Sequence, residues 1–170
     1  MAEAVKGIDI IWLYRILKDA QTEPAFKVAY QTENGLTETK DADATATKDG
    51  SIRLPGDLET EGSMTSILAK GDVYIKKLRQ AMRKGDKVEF WEINKSEEGT
   101  DTNVGKFAGT YYQGYVTEYT RDSTAEDLVE VSISYAMEGE GQDGFCTLTV
   151  DQAEVVQYAF RDTVVAPPEV

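Results

Sequence analysis

The chain contains no histidine and only one cysteine, Cys146. Without histidine the usual general base and the usual zinc ligand are missing. So are the Ser-His-Asp and Cys-His arrangements of nucleophilic catalysis. A lone cysteine excludes an intrachain disulfide. Cys146 sits in an alternating run, Phe145-Cys-Thr-Leu-Thr-Val150, and reads as a small buried hydrophobe rather than a nucleophile. Long apolar runs are also absent: nothing approaches the ~20 residues a helix needs to cross a bilayer. The most apolar early run, 8–17, is interrupted by Asp9 and Arg15. No stretch has the pattern of a signal peptide, so the expectation is a chain that stays in the cytoplasm where it is made until lysis releases it.

Positive charge is scarce and confined. The 170 residues carry 18 Lys and Arg against 31 Asp and Glu, a net of −13. Residues 70–87 hold seven of the cations (Lys70, Lys76, Lys77, Arg79, Arg83, Lys84, Lys87) and two acids (Asp72, Asp86), a net of +5. The remainder, with 11 basic and 29 acidic groups, is at −18. Such a body repels DNA, RNA and anionic lipid, since binding a polyanion requires cations that displace its counterions. The cationic stretch reads as a solvated face or as a surface that meets an acidic patch on a neighbouring copy.

What is present is β-sequence around one helix. Tyr74, Ile75, Leu78, Ala81 and Met82 fall within an arc of ~120° at ~100° per residue, which predicts a helix over about 72–84. Asp72 is placed to cap it, Arg83 and Lys84 suit its C-terminal dipole, and Gly85 suits the left-handed position after it. Flanking strands are expected over 57–68 and 88–93, with the helix laid on their sheet. Further strands are expected over 8–17, 25–31, 106–119, 128–137, 145–150 and 154–160. The second of these is expected to pair with the first, and Asn34-Gly35 signals a turn after it. In the 128–137 run, Val129, Val131, Ile133, Tyr135 and Met137 share one face. Gly109 and Gly114 mark bulges or close approaches. Acidic loops are expected over 95–103 and 138–144, and a turn over 121–127.

Segment 36–56 alternates Thr, Ala and Asp and has no apolar face of any size, with Asp49-Gly50 as a type I′ hairpin tip. A hairpin that cannot bury itself in its own domain is expected to project, flexible in the monomer, and to become ordered against something else. A mobile loop is the plainer alternative. Together these elements predict a mainly β fold. It is an antiparallel sandwich or partly closed barrel with one flanking helix and one projecting hairpin, as a single domain over 1–170 with an N-terminal arm (1–7) and a flexible tail (161–170).

Chemistry-bearing constellations are weak. Glu89 and Glu92 flank Trp91 but stand three apart on one strand, so they point to opposite faces, unlike a glycosidase pair. Asp41, Asp43 and Asp49 resemble part of a calcium loop but lack its sixth-position glycine and closing glutamate. The Gly-rich stretches are acidic and unsuited to cradling phosphate. The aromatics lack the adjacent cations of a base-stacking groove. Hence no catalytic residue, metal ligand or cofactor is assigned.

Several stretches taken together resemble a known family. These are Thr47-Lys-Asp-Gly-Ser-Ile-Arg-Leu54, Thr60-Glu-Gly-Ser-Met-Thr-Ser-Ile-Leu-Ala-Lys-Gly-Asp72, Leu78-Arg-Gln-Ala-Met82, Lys87-Val-Glu-Phe-Trp-Glu-Ile93 and Gly109-Thr-Tyr-Tyr-Gln-Gly-Tyr-Val-Thr-Glu-Tyr119. The likeness is to the major tail proteins of long, non-contractile-tailed bacteriophages and covers most of 8–160. It implies a β-sandwich or barrel with one flanking helix (72–84) and a long loop (36–56) that reaches a neighbour. In that family six copies form a ring, rings stack into the tail tube, and inner sheets line a channel for the genome, and the resemblance implies the same here. It also implies a virion protein assembled in the bacterial cytoplasm, with other copies of itself, a tape-measure protein and tail-end proteins as partners, and DNA only as repelled cargo.

Candidate lumen acids on polar strand faces are Glu59, Glu61, Glu118 and Glu130. Asp41, Asp43, Asp49, Gly50 and Arg53 on the hairpin are candidate inter-subunit groups, as are Lys76, Lys77, Arg79 and Arg83 on the helix. The alternatives are the inner tube of a contractile tail or secretion machine, a ligand-binding β-barrel, and a hydrolase using Glu89 and Glu92.

Overall fold

The computed structural model describes residues 2–149, 152 and 163. Among the described residues seven strands make one antiparallel sheet: β1 (Ile10–Ile16), β2 (Gln31–Thr47), β3 (Gly50–Ile67), β4 (Val88–Glu98), β5 (Lys106–Asp122), β6 (Glu130–Met137) and β7 (Gln142–Thr147). Their order is β1-β4-β5-β6-β3-β2, with β7 paired to β5. The helix α1 (Val73–Lys84) lies between β3 and β4 in sequence.

The sheet curls but does not close. β1 and β6 are three strand spacings apart, ~14 Å along a flat sheet. Yet the rings of Trp12 on β1 and Tyr135 on β6 lie 5.4 Å apart, and those of Tyr14 and Tyr135 lie 5.9 Å apart. The fold turns at β5. Its early residues pair with β4 and β7, its later ones with β6, and Gly114 stands opposite both Val88 and Met137. A side chain there would meet the Ala136 carbonyl oxygen at 2.1 Å, so only glycine lets the backbones approach. β1 and β2 form no ladder with each other. At their seam the Gln31 amide donates to the carbonyls of Trp12 (3.1 Å) and Val28 (3.2 Å).

The concave side is filled by Trp12, Tyr14, Met64, Phe90, Ile133 and Tyr135, all essentially without solvent exposure. The space a barrel would offer a ligand is therefore occupied by its own aromatics. α1 adds Ile75, Leu78 and Ala81 to this core. Asp72 accepts from the Tyr74 and Ile75 amides, and Gly85 takes the left-handed position at φ 73°. A second cluster, Ile11, Leu13 and Ile93 with Trp91 and Phe107 against it, lies on the other face of β1 and β4.

The strand pattern departs from expectation in definite places. Segment 25–31 does not form a strand along β1. It makes one bridge, Phe26 to Tyr14, and its alternation serves to bury Phe26 and Val28. Asn34-Gly35 is not a turn: the two residues sit in β2 opposite Met64 and Ser63. Tyr30, at φ 56°, precedes the strand instead. The long ladder and the burial of Met64 on its face outweigh the local turn preference of the dipeptide.

The hairpin tip is one residue off. Lys48 and Asp49 form the loop, Thr47 pairs with Gly50, and only Gly50 has positive φ (118°). A type I′ turn, which needs two positive φ values, is thus replaced by another two-residue loop. β4 and β5 run on to Glu98 and Asp122, into the expected loops, and β6 begins at Glu130. The last described strand is Gln142–Thr147 rather than 145–150. The strand expected over 154–160 and the tail over 161–170, Thr163 apart, lie outside the described residues.

Candidate assembly surfaces

Register fixes which side chains share a face, because a strand's period is two. Thr39 stands opposite Glu59, Thr37 opposite Glu61, Ser63 opposite Ser134, and Ser134 opposite Glu118. Glu33 stands opposite Thr65, Thr65 opposite Ser132, and Glu130 opposite Asp122. One face of β2, β3, β6 and the later half of β5 therefore carries Glu33, Glu59, Glu61, Glu118, Asp122 and Glu130, all exposed. Between them lie Thr37, Thr39, Ser63, Thr65, Thr120, Ser132 and Ser134, and no Lys or Arg falls in this register. The opposite face holds Thr60, Met64, Val131, Ile133 and Tyr135 and is buried. The four acids Glu59, Glu61, Glu118 and Glu130 are thus brought together on one convex carboxylate wall.

The β2–β3 hairpin leaves the body where burial stops, at Thr60. From there about ten residues reach the tip, ~30 Å at strand rise. Residues 37–57 are exposed throughout. The ladder is interrupted between Lys40 and Ala42, with Gly56 beside Asp41. Beyond it, Asp43 faces Leu54, Thr45 faces Ile52, and Asp49 and Gly50 sit at the tip. The Arg53 guanidinium donates to the Ala42 carbonyl at 2.8 Å, which holds it along its own arm. Asp41, Asp43 and Asp49 are strung along this arm. Among the described residues no group of three or more acidic, His or Cys side chains is placed to hold a metal ion.

The helix cations divide into two sets. Lys77 pairs with Glu23 at 2.9 Å and lies over the Phe26 and Tyr74 rings. Arg79 lies over the Tyr119 ring at 4.9 Å. These two fasten α1 to the body. Lys76 and Arg83, with Lys84, point to solvent and pair with no acid among the described residues.

Glu89 and Glu92 do stand on opposite faces. Glu89 is buried on the side of the second cluster, where it accepts from Arg15 Nε and from the Tyr111 hydroxyl, both at 2.5 Å. Arg15 also stacks 5.1 Å over Trp91. A carboxylate so engaged is a tie between β1, β4 and β5, not a free base. On the other face, burial and then the Glu38 charge raise the Glu92 carboxyl above its ordinary value. Burial, then Glu92, Glu38 and Asp143, push Tyr112 up to about 12. The partly buried Cys146 thiol is raised by burial, the opposite of an activated nucleophile.

Two features are not legible from the sequence. One is the Arg15–Glu89–Tyr111 tie, whose partners are far apart in the chain. The other is the exposed pair Ile52 (50%) and Leu54 (59%), which share one side of the hairpin. Their i, i+2 spacing is visible, but Arg53 between them and the Thr-Ala-Asp strand opposite hide it.

Comparison with known proteins bears on the family and the fold. A family model described as phage tail tube protein matches residues 4–143. A protein of Staphylococcus phage phiMR25 assigned to the tail is 29% identical over 169 residues, covering 98% of this chain and 86% of that protein. Tail tube protein gp17.1* of Bacillus phage SPP1 is 26% identical over 140 residues, covering 82% of this chain and 52% of that protein, so the chain spans about half of its length. The solved SPP1 tail tube superposes with a TM-score of 0.77 at 22% identity, over 93% of this chain and 91% of that one. The tail of a gene transfer agent particle, refined with C6 symmetry, superposes with a TM-score of 0.61 at 13% identity, over 82% of this chain and 98% of that one. With its mainly β fold, a helix laid on the sheet and a family match over most of its length, this chain belongs to the phage tail tube proteins.

Proposed function

We propose that copies of this chain close into six-membered rings that stack as the tail tube of a virion, with the carboxylate face of β2, β3, β5 and β6 turned to the bore. The observation that carries this reading is the register: it gathers Glu59, Glu61, Glu118 and Glu130 with Glu33 and Asp122 on one exposed face to which these strands contribute no Lys or Arg. A conduit for DNA must not bind its cargo. A wall of fixed carboxylates repels phosphate within a Debye length, ~8 Å at physiological salt, and leaves both surfaces hydrated. The C6 symmetry of the gene transfer agent tail supports the ring number. Assembly proceeds in the host cytoplasm around a tape-measure protein and is terminated by tail-end proteins. The β2–β3 hairpin and α1 supply the head-to-tail contacts, and no membrane takes part. Closing a ring requires such a heterologous interface, with different patches meeting at each contact.

The test is to reverse the wall. Phage carrying Glu59→Lys, Glu61→Lys and Glu130→Lys should still build tails of normal length, since these side chains are exposed and make no ion pair among the described residues. Their DNA should eject slowly and titre should fall. Tails that eject normally with this lysine wall would overturn the reading.

A further inference from the structure

We propose that the hairpin of one copy seats on the outer face of α1 of the next, with Ile52 and Leu54 covering Val73 and Asp43 pairing with Lys76. This inference rests on the tube reading and names the two surfaces that meet.

Two unpartnered surfaces on the same molecule carry it. On the hairpin, one side of the ladder presents Leu54 beside Asp43 and Ile52 beside Thr45. Leu54 is 59% and Ile52 50% exposed, on an arm whose residues 37–57 are all exposed. On the other side, Arg53 is held back to Ala42, so the docking side carries a carboxylate and no cation. On α1, Val73 is 56% exposed at the first helical position. At 100° per residue, Lys76, Gln80, Arg83 and Lys84 follow it along one face. The charged side chains of that face are all cations, and Lys77 and Arg79, which flank it on either side, are already engaged by Glu23 and the Tyr119 ring.

The match is twofold: apolar to apolar, and carboxylate to ammonium. The second copy is the occupant that both terms select. Outside 70–87 the chain is at −18, so its own kind supplies the anion that the helix lacks. The arm runs ~30 Å past the last buried residue, Thr60, and every residue of 37–57 is exposed on it. One hairpin out and one helix face in is a heterologous contact that propagates around a ring or along a stack.

The experiment compares purified wild type with Asp43→Lys, Lys76→Glu, the double variant and Leu54→Ser. Polymerisation is followed by pelleting and negative-stain microscopy, with the tail partners present where wild type needs them. All these sites are exposed, so circular dichroism of the monomers should match wild type. Each single reversal should raise the concentration required for tubes by about tenfold or more, and the double should recover most of that loss. Leu54→Ser should also raise it. If wild type forms tubes and the single reversals do too at the same concentration, the hairpin–helix contact is wrong while the tube reading stands. The contact is equally wrong if the double is no better than the singles, or if only Lys76→Glu has an effect, which would assign α1 to another partner. If wild type forms no tube even with its tail partners, both proposals fall.

Discussion

Gly62 and Gly114 show how much of this molecule turns on single atoms. A Cβ at residue 62 would sit 2.3 Å from the Tyr135 ring, and one at residue 114 would sit 2.1 Å from a backbone carbonyl. A ring can shift, whereas a strand in mid-sheet cannot. Gly62→Ala should therefore cost about 1–3 kcal/mol in urea unfolding, the usual range for overpacking, and Gly114→Ala more than that. The close approach at Gly114 is legible as a glycine inside a strand pattern. Its cause is not, because the β6 carbonyl comes from a segment over twenty residues away.

The buried Glu89 tie makes a similar point. Glu89→Gln keeps the shape but removes the charge facing Arg15, and should lose about 2 kcal/mol, typical of a hydrogen bond to a charged partner. Glu92→Gln should do the reverse. Its carboxyl is held above the ordinary value by burial and Glu38. The charged form is thus disfavoured in the folded chain, stability falls as pH rises past the normal carboxyl range, and the amide should raise the melting temperature at neutral pH.

At the scale of elements, α1 is the most legible part of the sequence. Its cap, stripe, terminal cations and C-terminal glycine all point the same way, and the helix lies at Val73–Lys84. Asp72→Ala should cost about 1 kcal/mol, measured by chemical unfolding, because two amides lose their acceptor. The strands of the core are legible from alternation, most plainly β6, where Val131, Ile133, Tyr135 and Met137 are buried in turn. Failures arise where local preference and long-range pairing disagree. Asn34-Gly35 has turn chemistry but is held straight by β3, and segment 25–31 alternates like a strand but packs as a loop. The hairpin is found from its poverty of apolar residues, a statement about composition. Its one apolar side becomes visible only when the register sets Ile52 and Leu54 together.

For the whole molecule, charge and titration give the broadest predictions. Tyr14, Tyr111, Tyr112 and Tyr135 all have hydroxyls raised chiefly by burial. In the unfolded chain they ionise near 10, while in the folded chain they stay neutral to higher pH. The unfolded state thus sheds protons first, and stability present below pH ~10 is lost as pH climbs toward ~12. Unfolding should coincide with tyrosinate absorbance, and separate transitions would show that these rings are reached by solvent without unfolding.

The acidic excess is legible as a number, and the family likeness gives it a use. The sequence alone does not assemble the wall, because that requires knowing that β3 lies between β2 and β6 and that β5 slips its register near Val116. The most direct measurement is a cryo-EM reconstruction of tubes formed by this chain. Glu59, Glu61, Glu118 and Glu130 should lie on the wall of the bore, with the helix away from it. Finding those carboxylates on the outer surface or between rings, with another face lining the channel, would contradict that placement.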